Sequence, residues 1–119
     1  MSDKRRAQQP DDLFGELPIE TRMALEHPHR RQILRALGGA DEKTSPSELD
    51  QSGRVSCGAP CISYHLKTLE GFGLVRRAGT EPVRGSLKHY FSSLVTTNNL
   101  VQAVLKATEK SDGTAPAAS

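Results

Sequence analysis

A chain of 119 residues has room for one domain. With 35% apolar residues and only five aromatics, its core is modest and leaves little space for an enclosed catalytic cavity. No apolar run is long enough to span a membrane, and no apolar stretch follows the basic N-terminus as in a signal peptide, so a cytoplasmic chain with no membrane partner is expected. In that compartment Cys57 and Cys61 are expected to stay reduced.

The net charge of +2 says little, but its distribution says more. Between residues 54 and 92 stand Arg54, Lys67, Arg76, Arg77, Arg84 and Lys88, against only Glu70 and Glu81. A basic half on a near-neutral chain suggests a local anionic partner. Residues 1–12 are polar and charged, and residues 111–119 are rich in Ala, Ser, Gly and Pro. Both are expected to be disordered tails, which leaves residues 13–110 as the folded domain.

Within it the apolar residues fall into helical groups. Leu17, Ile19, Met23 and Leu25 mark a first short helix, with Pro18 near its start. His27-Pro28 interrupts, because the residue before a proline is biased out of the helical region. A second helix then runs through Ile33, Leu34 and Leu37 and stops at Gly38-Gly39. Ser45-Pro46-Ser47-Glu48 is a capping box opening a third helix that carries Leu49 and ends at Gly53. A turn anchored by Val55 follows. Pro60 opens a fourth helix with Ile62, Leu66 and Leu69 on one face. Residues 74–77 and 87–91 read as two strands of a hairpin with a long tip, residues 78–86. Thr97 or Asn98 caps a last helix carrying Leu100, Val101, Val104 and Leu105. The expected class is mainly α with a small β-hairpin, a winged helix-turn-helix in the order α-α-α-α-β-β-α.

In that plan the second helix of the pair enters the DNA major groove. Its exposed face must offer hydrogen-bonding side chains to base edges, which Ser63 and Tyr64 do. His65, Lys67 and Thr68 are placed for phosphate oxygens, with packing as the other role open to His65. The free amides at the helix start, near Gly58, Ala59 and Pro60, offer a further phosphate site. Arg84 at the wing tip suits a minor groove, while Arg77 and Lys88 lie along the wing. The bland alternative for each is a solvated surface residue.

The segments HPHRRQILRAL (residues 27–37), SPSEL (45–49), ISYHLKTLEGFGLV (62–75) and KHYFSS (88–93) together resemble the ArsR-type winged helix-turn-helix regulators, over roughly residues 17–108. The resemblance implies a homodimeric repressor of double-stranded DNA, released by a small signal whose identity the sequence leaves open. Dimerisation through the first and last helices would use Leu17, Ile19, Met23, Leu100, Val101, Val104 and Leu105. Two features depart from the family pattern. The turn SGRVSCGA is longer than usual, and the third helix lacks the Cys-X-Cys pair of the arsenic-sensing branch.

No cofactor is implied and no metal site is expected. Cys57, Cys61 and His65 are near in sequence, but Gly58 and Pro60 start the helix after Cys57, and a fourth ligand is missing. A redox or metal-sensing role for Cys57 and Cys61 stands as the minor alternative. His27, His29 and His89 are dispersed. No phosphate loop, nucleophile motif or paired carboxylates suggest an enzyme. A winged helix used only for protein contact is the remaining alternative, disfavoured by the basic wing and polar helix face.

Overall fold

The computed structural model describes residues 10–39 and 41–112. Six helices and two strands follow in the order α1 (Pro10–Glu16), α2 (Ile19–Leu25), α3 (Pro28–Ala36), α4 (Pro46–Ser52), α5 (Ala59–Gly71), β1 (Val75–Val83), β2 (Ser86–Ser93) and α6 (Asn99–Ala107).

The boundaries follow local chemistry. His27 is extended, and its Nδ1 accepts the His29 amide at 3.2 Å, capping α3 just ahead of Pro28. At α4 the Ser45 hydroxyl accepts the Glu48 amide, while the Glu48 carboxylate accepts the Ser45 amide at 3.1 Å. This is the reciprocal box the sequence announces. Gly53, at φ 74°, ends α4 in the left-handed conformation that glycine adopts without penalty. Asn98 caps α6 by accepting the Val101 amide.

One core joins these elements. Ile62, Leu66 and Leu69 of α5 are fully buried, as their spacing requires, and meet Ile33, Leu34 and Leu49 from α3 and α4. Val55 is buried in the turn between α4 and α5. The hairpin root is moored twice: Thr44 exchanges both backbone hydrogen bonds with Phe91, and Gly38 accepts the Ser93 amide.

The class is as expected, a winged helix-turn-helix, with three corrections. First, a helix precedes the expected first one. Its sequence, PDDLFGE, is short and charged and has no helical apolar period, but Leu13 inside it and Leu17 beyond it are buried in the common core. Tertiary packing overrides weak propensity here. Residues 10–12, expected in a disordered tail, form its first turn, and the rest of that tail lies outside the described residues. At the other end Ser111 and Asp112 continue past α6, and residues 113–119 lie outside the described residues.

Second, the wing is longer and its tip shorter than expected. The strands pair from Val75↔Ser93 to Val83↔Ser86, so the tip is only Arg84-Gly85. Both have positive φ, 50° and 83°, the pattern of a two-residue hairpin turn whose twist matches the strands. A bulge between Arg77 and Gly79 leaves Ala78 without a partner, which lets residues 79–83 pair in register with 86–90.

Third, the expected dimer stripe divides. Leu17, Val101, Val104 and Leu105 are buried within one chain, and Leu100 packs against the same core. Only Ile19 and Met23 stand open, at 60% and 51% exposure. A single amphipathic face cannot serve the chain's own core and a partner at once, and the core takes α6.

Candidate nucleic-acid interface

Burying Ile62, Leu66 and Leu69 turns the opposite face of α5 outward. Tyr64 is 64% exposed, Lys67 is exposed, and Ser63 and Thr68 are half-buried on the same side. The Thr68 hydroxyl is spent on the Tyr64 carbonyl at 3.1 Å, a back-bond along the helix. Gly58, at the start of α5, offers no side-chain cap. Amides of the first helical turn have no helical acceptor, and an anion can satisfy them.

The wing folds beside this face and encloses with it a groove of about 630 Å³. Ala59, Ser63, Lys67, Arg77 and Lys88 all line it, joined by Ser47 at the start of α4. Arg84 stands at the far tip of the hairpin. Residues from Ser47 to Lys88 thus share one concave, cation-bearing surface.

Two carboxylates, absent from the expected set, hold two of its cations. Lys88 Nζ lies 3.4 Å from Glu48, and Arg77 Nε lies 3.2 Å from Glu70. The Ser45 amide and then Lys88 hold the Glu48 carboxyl below its usual range, and Glu48 in turn raises Lys88. Arg77 also approaches His89 Nδ1 at 3.3 Å. No sequence period couples Glu48 to Lys88, forty residues apart. Only the wing's return past α4 does so.

His65 is placed differently from its expected neighbours. It is 5% exposed and turned toward α3, its ring centroid 4.4 Å from that of His27 and 5.9 Å from that of His29. Its Nδ1 accepts from Arg30 Nε at 3.4 Å. Of the two roles open to it, packing fits these surroundings and phosphate contact does not. Burial, then the charges of His27 and Arg30, push its pKa down to about 4; burial and Arg30 lower His27 as well.

A histidine depressed in the folded state binds its proton only when unfolded, so stability falls as pH drops from about 6.5 toward 4. The His65 shift corresponds to roughly 3 kcal/mol at the bottom of that window. Urea unfolding at pH 7 and pH 4.5 should show this loss. A His65→Gln chain should show much less of it, and an equal pH dependence in both would remove His65 as its source.

Cys57 and Cys61 are joined by a disulfide, Cα–Cα 5.9 Å. This corrects the expectation of two reduced thiols. Gly58 is extended between them and the chain turns directly into α5, so the two Cα atoms fall within the span a disulfide bridges. Cys57 is off the helix and Cys61 in its first turn, as the glycine and proline positions imply. His65 is not the histidine beside them. His29 is, with Nδ1 3.9 Å from Cys61 Sγ. The dispersed His27 and His29 of the sequence thus meet α5 through the fold of α3 against it.

Comparison with known proteins agrees with this architecture. A helix-turn-helix domain family model matches residues 25–78, from the end of α2 through α3, α4 and α5 into β1. No curated protein matches the chain. Among the described residues no helix is long and apolar enough to cross a membrane.

Proposed function

We propose that this chain is a transcriptional regulator of the ArsR-like kind, a repressor that binds an inverted-repeat operator as a homodimer. The match to a helix-turn-helix domain supports a DNA-binding regulator. The observation that carries the finer reading is the shared groove: an open polar face on α5 lies beside an arginine-tipped wing, with cations along the floor between. Ser63 and Tyr64 face base edges from the major groove. Lys67, Arg77, Lys88 and the free amides at Gly58 and Ala59, just ahead of Pro60, take phosphates, and Arg84 reaches the neighbouring minor groove. Ile19 and Met23, large apolar side chains open on α2, are the best candidates for the dimer contact.

Selection of duplexes from random DNA at stated salt tests the reading. Two-fold symmetry in the protein should give half-sites about one helical turn apart. Tyr64→Ala or Ser63→Ala should cost on the order of 1–3 kcal/mol on the selected site and relax its sequence preference. Lys67→Ala should weaken all duplexes alike and flatten the salt slope by about one unit. Selected duplexes without symmetry, or affinity indifferent to salt, would refute it.

The Glu48–Lys88 pair gives a prediction of opposite sign. Glu48→Gln keeps an acceptor for the Ser45 amide, so the capping box survives, but it releases Lys88. Duplex affinity should rise roughly two- to five-fold at low salt, the scale of a surface pair. A fall in affinity with unchanged folding would show that Glu48 itself contacts the ligand.

A further inference from the structure

We propose that Cys57, Cys61 and His29 form a thiol-gated site for a zinc-like divalent cation, which ties the start of α5 to α3. The donor atoms of these three residues lie within 4.8 Å of one another. Each is partly exposed, so an ion has a path to them. Two thiolates and an imidazole are a donor set that zinc favours, and three protein donors leave the fourth tetrahedral position to solvent.

A second cluster of the same compactness, His27, His29 and His65, argues for itself less well. His65 Nδ1 is taken by the Arg30 guanidinium, which also sets a fixed positive charge against any cation there. His27 Nδ1 is taken by the His29 amide. His29 Nδ1 is the ring nitrogen aimed away from this cluster's hydrogen bonds and toward Cys61. The sulfur side of His29 is therefore the better place for a cation.

In the structure the two sulfurs are bonded to each other and cannot serve as thiolate ligands. The site is thus closed in the oxidised chain. A dithiol reductant opens it: one of its thiolates attacks a sulfur of the pair, a mixed disulfide forms, and the reductant's second thiol closes its own disulfide. Two electrons pass to the protein sulfurs, which leave as two thiols. The cation then displaces two protons as it binds the thiolates.

The two states differ mechanically. The disulfide joins residues four apart and holds only the local turn. A cation shared with His29 crosses to α3 and fixes the start of α5 against it. The site does not depend on the DNA-binding reading, although any effect on an operator would.

The test titrates the full chain with zinc alone, using competition with a chromophoric chelator, after dithiol reduction and after oxidation. One zinc per chain is expected for the reduced protein and none for the oxidised one, with two protons released per zinc. Cys61→Ser should abolish binding. His29→Ala should weaken it by at least the ~10–100-fold typical of losing even an outer partner, whereas His89→Ala, in the wing, should change nothing. Cobalt in place of zinc should give a thiolate charge-transfer band that the Cys61→Ser chain lacks. Equal zinc uptake by the oxidised and reduced chains, or wild-type affinity in a folded His29→Ala chain, would overturn the proposal. No readout uses DNA, so failure of this site and failure of the regulator reading are separate results.

Discussion

Replacing Asp112 by asparagine should destabilise the domain by about 3–5 kcal/mol, the scale of leaving a buried charge without its partner. Asp112 lies beyond α6, but its side chain is only 1% exposed. Arg31 grips it with two bonds, Nη2 to Oδ1 at 2.5 Å and Nε to Oδ2 at 2.9 Å. Arg35 adds a third at 2.6 Å. The backbone is used as well: Gln32 Nε2 donates to the Asp112 carbonyl at 2.9 Å, and Gln32 Oε1 accepts from the Ser56 amide at 2.8 Å. One residue thus joins the end of α6, the middle of α3 and the turn before α5. Asparagine keeps the shape but leaves two guanidiniums, mostly buried, with no anion.

The same pair sets the acid limb of stability. Burial raises the Asp112 carboxyl, but Arg31 and Arg35 more than offset this and hold it below its usual value. A depressed carboxyl contributes stability that is present above its unfolded pKa and lost as pH falls through the folded one. The wild type should therefore lose stability below about pH 4, beneath the histidine window, and Asp112→Asn should lose less there. Arg31→Met should cost far less in the asparagine background than alone. Full additivity of the two changes would mean that the pair is not coupled.

Asp112 also shows where sequence reading stops. SDGTAPAAS has the composition of a tail, and a single aspartate carries no sign of the two arginines that await it eighty residues away. What was legible rested on chemistry within one or two turns. The capping box at Ser45, the proline openings at Pro28, Pro46 and Pro60, and the buried face of α5 are local patterns, and each stands as expected. Ser63, Lys67, Arg77 and Lys88 were legible as a set because α5 and the hairpin come as a unit, and the fold brings them to one groove. Most of the misses are contacts across the chain: the pairing of Glu48 with Lys88, the turn of His65 toward α3, and the approach of His29 to the cysteines. The Cys57–Cys61 disulfide is the local exception, because compartment chemistry takes no account of the turn that brings the cysteines together. The wing tip is an intermediate case. Arg84-Gly85 is a two-residue turn, but the glycines and proline around it read equally well as a long loop until pairing fixes the register.

Removing the chain from Thr97 onward should unfold the domain rather than yield a folded monomer. Val101 and Val104 are fully buried, and Leu105 is 4% exposed. They share a core with Leu13, Leu17 and Leu25, so α6 is as much interior as α5. Each lost large aliphatic side chain costs about 2–5 kcal/mol, and three together exceed what a domain of this size has to spare. Arg35 would also lose its acceptors at the Leu105 carbonyl and the Thr108 hydroxyl, and Asp112 would be gone. The truncated chain should show no cooperative melting. Association is then addressed elsewhere, at Ile19 and Met23, whose exposure means that charge there leaves the core intact. Ile19→Asp with Met23→Asp should keep the wild-type melting profile at low concentration, while sedimentation moves from dimer to monomer and operator binding falls steeply. A folded truncated chain would show that α6 is dispensable to the core. A double variant that stays dimeric would move the contact off α2.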